Sequence, residues 1–138
     1  MLKPTTLVLG VSLKPSRYSH KAVQRLIASG IPTIAVGLRS GFIGETQVLN
    51  IKEAFAKSEK TDNQEGFETI DTITLYLSPK HQSGYVDFIL KLKPKRVIFN
   101  PGTENMELVA ILQEAGIYSE IACTLVLLAT DQYETQES

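Results

Sequence analysis

The residues best suited to chemistry lie between Gly10 and Ser19, in the segment GVSLKPSRYS. Gly10 ends a short apolar run, and the loop after it carries Lys14 and Arg17. Ser19 is the expected N-cap of a segment with helical periodicity. A strand, turn and helix of this kind direct backbone N–H groups and the positive end of a helix dipole to one place, where an anion is stabilised. The segment predicts a phosphate site that Arg17 contacts, with Lys14 solvated.

Residues that could catalyse a reaction or hold a metal form no recognisable set. Cys123 is the only cysteine, which excludes a disulfide within the chain and a metal site of paired thiolates. Its apolar neighbours predict a buried, unreactive thiol. His20 and His81 have no cysteine or paired carboxylate at ligand spacing, so we interpret them as helix-start or surface residues. We expect no catalytic residues and no metal.

The same loop argues against NAD as the ligand. The dinucleotide fingerprint G-x-G-x-x-G needs three glycines after the first strand, whereas only Gly10 is present here and Ser12 and Pro15 follow it. NAD sites also use an acidic residue at the end of the second strand, where this chain has Arg39. A cation there would pair with a phosphorylated ribose. A phosphorylated adenosine is therefore favoured, and an NADP-dependent oxidoreductase stays open as an alternative.

The elements that must position these residues alternate between strand and helix. Apolar runs predict about five strands, at residues 6–9, 31–36, 72–77, 96–99 and 118–121, with a short extended piece at 46–49. Helical periodicity and caps predict helices at residues 19–29, from 50 onward, at 81–93 and 104–115, and a final turn or helix at 123–128. Asn50 and Glu53 form a capping-box pattern for the second of these helices. Such alternation implies an α/β, Rossmann-like parallel sheet with helices on both faces. Ligands bind these sheets beyond the carboxyl ends of the strands, where strand order reverses.

Length and composition fit one globular domain. The chain has 138 residues, 43% of them hydrophobic, and a formal net charge of -1. We expect a domain over residues 1–130 with a surface loop at 57–66, and a polar, disordered tail over 131–138. A near-neutral charge gives no field for nucleic acid, and no apolar run could serve as a signal or a membrane span. These features predict a cytoplasmic protein with a small-molecule ligand; a homodimer is possible because symmetric dimers are common.

Five motifs together resemble the CoA-binding domain family, whose small stand-alone members share their fold with the N-terminal domain of the succinyl-CoA synthetase alpha subunit. The resemblance spans about Leu7 to Leu128, and its motifs are GVSLKPSRYSHKA, VGLRSGFIGE, TLYLSP, FNPGTEN and ACTLVLL. Many relatives read V-N-P-K at the end of the second strand, where this chain reads VGLR, so the basic residue is kept and the proline is not.

The resemblance implies that the ligand is coenzyme A or an acyl-CoA, and it implies four groups of contacts. The pyrophosphate would be lined by Gly10, Ser12, Pro15, Arg17, Tyr18 and Ser19. The adenosine and its 3′-phosphate would be held by Val36, Gly37 and Arg39. The adenine or pantetheine would be bordered by Leu77, Ser78 and Pro79. The pantetheine end would be faced by Asn100, Pro101, Gly102 and Thr103.

Catalysis is not part of what the resemblance implies for this chain. The active site of the synthetase relatives includes a histidine from a second domain, which has no counterpart here. The expected function is therefore CoA binding without catalysis. A protein-interaction module whose nucleotide pocket is vestigial stays open as a further alternative.

Overall fold

Strands and helices alternate along most of the chain in the computed structural model, which describes residues 3–59 and 69–134. The strands are β1 (Thr5–Val11), β2 (Thr33–Gly37), β3 (Gly41–Ile43), β4 (Thr46–Asn50), β5 (Ile70–Leu75), β6 (Arg96–Phe99) and β7 (Tyr118–Ile121). The helices are α1 (Tyr18–Ala28), α2 (Ile51–Ser58), α3 (Val86–Leu92), α4 (Met106–Glu114) and α5 (Thr124–Ala129).

All the strands join one sheet, in the order β3-β4-β2-β1-β5-β6-β7. Neighbouring strands are parallel except for the antiparallel pair β3 and β4. The predicted α/β, Rossmann-like class is confirmed, but the predicted count of about five strands is corrected to seven within residues 3–59 and 69–134. The short strand β3 was missed because three residues, one of them glycine, are too few to show an alternating pattern.

Helices cover both faces of the sheet, as the continuous apolar strands require. Alternate residues of β1 face opposite sides, so Leu7 and Leu9 pack with α2, α3 and α4, whereas Val8 packs with α1 and α5. On the face with α2, α3 and α4, the aromatic rings of Phe55 and Phe88 pack edge to face with their centroids 5.1 Å apart. None of the helices in the described ranges is long and apolar enough to cross a bilayer.

Local signals located most helix ends, with one large error. Asn50 and Glu53 form the predicted capping box at the start of α2. The predicted helix from residue 81 is wrong over its first part, because two short 3₁₀ turns, Pro79–His81 and Ser83–Tyr85, precede α3. The predicted surface loop at 57–66 begins within α2, and from residue 60 onward it lies outside the described residues.

The segment after α5 packs against the sheet. Tyr133 is 6% exposed, and its hydroxyl shares a hydrogen bond with Thr6. Buried Arg96 donates to the Tyr133 carbonyl at 2.9 Å, pairs with Glu120 at 3.1 Å, and lies 4.7 Å from the centre of the Tyr133 ring. Burial raises the pKa of the Tyr133 hydroxyl above its usual value. The predicted disordered tail is therefore wrong at Tyr133, and residues 135–138 lie outside the described residues.

Candidate ligand-binding cleft

The topology creates one crevice at the carboxyl ends of the strands. The chain passes from β1 to β2 on one side, whereas β5 lies on the other side of β1, so strand order reverses between β1 and β5. Helices that leave these strands on opposite faces leave a gap above the sheet. A cleft of about 770 Å³ opens there, lined by Gly10, Val11, Ser12, Leu13, Lys14, Arg17, Tyr18, Ser19, Leu38, Arg39, Tyr76, Leu77 and His81.

Gly10, near the end of β1, lies close to the backbone that follows β5. Its φ of +101° is one that side chains rarely tolerate, and a Cβ atom there would lie 3.0 Å from the Tyr76 carbonyl carbon and 3.1 Å from the Leu77 nitrogen. The β1–β2 register also shifts between Leu9 and Val11. A glycine at this position therefore shapes the floor of the cleft.

The loop from β1 to α1 is fixed by hydrogen bonds to the first turn of the helix. Buried Ser19 accepts a hydrogen bond on Oγ from the Ser12 N–H at 2.9 Å, and Nδ1 of His20 lies 3.1 Å from the Ser12 carbonyl oxygen. Ser12 Oγ in turn accepts from the Lys14 N–H at 3.1 Å. The predicted helix cap at Ser19 is wrong, because the cap residue is Arg17 and Ser19 lies inside α1. His20 lies in the first turn of α1, as predicted, and its side chain is buried.

The cleft carries positive charge. Lys14, Arg17 and Arg39 line it and are exposed, and its lining includes no aspartate or glutamate. The start of α1 has no side-chain cap and no acidic residue in its first turn. Its N–H groups and dipole therefore add to the field of the cations. This arrangement is suited to an anionic ligand with more than one phosphate group.

The wall on the β5 side contains groups that sequence reasoning did not assign to a site. Tyr76 follows β5, and burial raises the pKa of its hydroxyl well above the usual range, so the side chain stays neutral. His81 also lines the cleft, with Nδ1 3.0 Å from Ser78 Oγ. Tyr76 lies inside the TLYLSP motif, and His81 follows it by two positions. Their place in the chain was therefore the only signal that could have identified them.

The structure brings part of the predicted site to the cleft and leaves the rest elsewhere. The predicted residues that line the cleft are Gly10, Ser12, Arg17, Tyr18, Ser19, Arg39 and Leu77. The predicted residues outside its lining are Pro15, Val36, Gly37, Ser78, Pro79, Asn100, Pro101, Gly102 and Thr103. The lining residues not predicted as ligand contacts are Val11, Leu13, Lys14, Leu38, Tyr76 and His81.

Packing accounts for two of the residues outside the cleft. A Cβ atom on Gly37 would lie 2.2 Å from the Val11 carbonyl oxygen, so glycine is needed where β2 passes the end of β1. Asn100 is 1% exposed, and its amide donates to Thr74 at 2.7 Å and accepts from the Thr124 N–H at 2.8 Å. Its polar atoms are therefore engaged inside the protein.

Cys123 does not line the cleft. Cys123 is half-buried at the start of α5, whereas we predicted a buried thiol. Within residues 3–59 and 69–134, no group of three histidine, cysteine, aspartate or glutamate side chains is placed to hold a metal ion.

Comparisons with known proteins bear on the family and the fold of this chain. A family model described as a CoA binding domain matches residues 4–129. The crystal structure of an uncharacterized protein is 40% identical with a TM-score of 0.79, over 94% of this chain and 97% of that chain. Two further structures share the fold, each 20% identical over 94% of this chain. One is from Thermus thermophilus, with a TM-score of 0.74 over 90% of that chain. The other is a hypothetical protein from Pyrococcus horikoshii OT3, with a TM-score of 0.71 over 83% of that chain. No curated protein matches. Because the family model spans nearly the whole chain, the protein belongs to the CoA-binding domain family.

Proposed function

We propose that this protein binds coenzyme A or an acyl-CoA in the cleft between β1 and β5 and acts as a binding module without catalysis of its own. The observation that carries the proposal is the charge of the cleft. Three cations and the uncapped start of α1 meet at the strand-order reversal, and no carboxylate lines the cleft. CoA carries a pyrophosphate and a 3′-phosphate, so a member of this family with such a cleft is well suited to it.

The positions of the cations suggest how the ligand lies. We assign the pyrophosphate to Arg17 and the first turn of α1. We assign the 3′-phosphate to Arg39, which follows β2, the neighbour of β1 on the side away from β5. The pantetheine arm then extends toward Leu77 on the β5 side. The cleft lining offers His81 no carboxylate partner, which supports binding without nucleophilic catalysis. A lone cysteine supports our further proposal of a cytoplasmic location.

Replacing Arg39 by alanine tests the assignment of the 3′-phosphate. The variant should bind CoA about tenfold more weakly, because a charge-assisted hydrogen bond contributes about 1.5–3 kcal/mol and Arg39 is exposed. Binding of dephospho-CoA, which lacks this phosphate, should change by less than about twofold. Titration calorimetry of both ligands measures the two affinities. Equal losses for CoA and dephospho-CoA would contradict the assignment.

A further inference from the structure

We propose that Gln82 and Asn105 are positioning residues that hold the β5-side wall of the cleft in place for the pantetheine arm. The inference rests on the proposed function, because it assumes that the cleft receives CoA. It also gives a role to the FNPGTEN motif, none of whose residues lines the cleft.

Gln82 connects the wall to the loop that follows β6. Its side chain is 1% exposed, and Nε2 donates to the carbonyl oxygen of Leu77 at 2.9 Å and to that of Thr103 at 2.8 Å. Leu77 lines the cleft, so one of these bonds acts directly on the wall. His81, the residue before Gln82, lines the same cleft. A single buried amide thus sets the distance between the wall and the loop behind it.

Asn105 determines the orientation of that amide. Its Oδ1 caps α4 by accepting from the N–H groups of Glu107 at 3.1 Å and Leu108 at 3.4 Å. Its Nδ2 must therefore point away from the helix, and it donates to Oε1 of Gln82 at 2.9 Å. With Oε1 occupied as an acceptor, Nε2 of Gln82 faces the two carbonyl oxygens. The donors run in one direction, from the start of α4 through Asn105 and Gln82 to the Leu77 carbonyl.

The wall that this relay supports lies away from the residues assigned to the phosphates. Arg39 follows β2, Arg17 precedes α1, and Leu77 follows β5, on the far side of β1 from β2. If Arg39 and Arg17 hold the phosphates of CoA, its pantetheine arm contacts Leu77. Loss of the relay should therefore affect ligands that carry the arm more than ligands that end at the phosphates.

The test uses Gln82→Met, which keeps the length of the side chain but cannot donate, and Asn105→Asp, which still caps α4 but cannot donate to Gln82. Each variant is titrated by calorimetry with CoA and with adenosine 3′,5′-bisphosphate, which has no pantetheine arm. We expect affinity for CoA to fall about fivefold to tenfold and affinity for the bisphosphate to change by less than about twofold.

Gln113→Met, an exposed site on α4, is the matched control and should leave both affinities unchanged. Thermal unfolding of each variant monitors folding, and Asn105→Asp tests the relay if Gln82→Met does not fold. Equal losses for both ligands, or unchanged CoA binding in Asn105→Asp, would overturn the inference while leaving CoA binding itself intact. A wild-type protein that binds neither ligand would instead remove the proposed function, and this inference with it.

Discussion

Replacing Gly37 by alanine is expected to lower the free energy of unfolding by about 3 kcal/mol, which shifts the thermal midpoint of a domain of this size by roughly 10 °C. The added Cβ would lie 2.2 Å from the Val11 carbonyl oxygen, and backbone cannot move aside as a flexible side chain can. Relief of the clash requires β1 and β2 to separate at their carboxyl ends, where the two strands pair. Thermal and chemical unfolding measure the loss.

Gly84 offers a matched control for this substitution. A Cβ atom there meets nothing within 4 Å, and the residue lies exposed in a short 3₁₀ turn. Gly84→Ala should change stability by less than about 0.5 kcal/mol. If Gly37→Ala unfolds at the same temperature as Gly84→Ala, the close approach of the two strands does not constrain this position.

Replacing Arg17 by alanine is expected to weaken CoA binding by about 30-fold, or roughly 2 kcal/mol, the contribution of a charge-assisted hydrogen bond to a phosphate. Arg17 caps α1 through its backbone only, so its side chain is free of any capping bond. The helix itself should therefore be unaffected. Because the pyrophosphate is common to both ligands, dephospho-CoA should lose affinity to the same extent as CoA. Titration calorimetry measures both.

Arg25 is the matched control for Arg17. It is an exposed arginine in the last turn of the same helix and does not line the cleft, so Arg25→Ala changes the net charge equally. This variant should bind CoA with wild-type affinity. Comparable losses in Arg17→Ala and Arg25→Ala would mean that overall charge, and not a contact in the cleft, governs binding.

Most of the fold could be predicted because its signals are local. Central parallel strands are largely apolar, and the strand predicted at residues 96–99 coincides with β6. The strand predicted at residues 118–121 coincides with β7, which lies at the edge of the sheet. The 3₁₀ turns before α3 could not be predicted, since helical spacing alone does not distinguish the two helix types over one turn. Tyr133 was missed for a different reason. Its burial depends on Arg96 and Thr6, which are distant in sequence.

The candidate site could be predicted only where its residues belong to one continuous segment of the chain. The loop from Gly10 to Ser19 combines a strand end with a helix start, and most of it does line the cleft. By contrast, Gly37 and Asn100 lie at strand ends but serve packing and internal hydrogen bonds, and sequence does not show which way such residues face. Lys14, which we expected to be solvated, is exposed but borders the cleft.

Thermal unfolding with CoA, dephospho-CoA, NADP and NAD, each at the same millimolar concentration, shows which of these nucleotides the protein binds. A ligand at about 100 times its dissociation constant stabilises the protein by about 2.7 kcal/mol, a shift of roughly 5–12 °C. We expect CoA to raise the midpoint most and dephospho-CoA to raise it clearly less. A larger shift with NADP would favour an oxidoreductase instead, and no shift with any of the four would contradict nucleotide binding in the cleft.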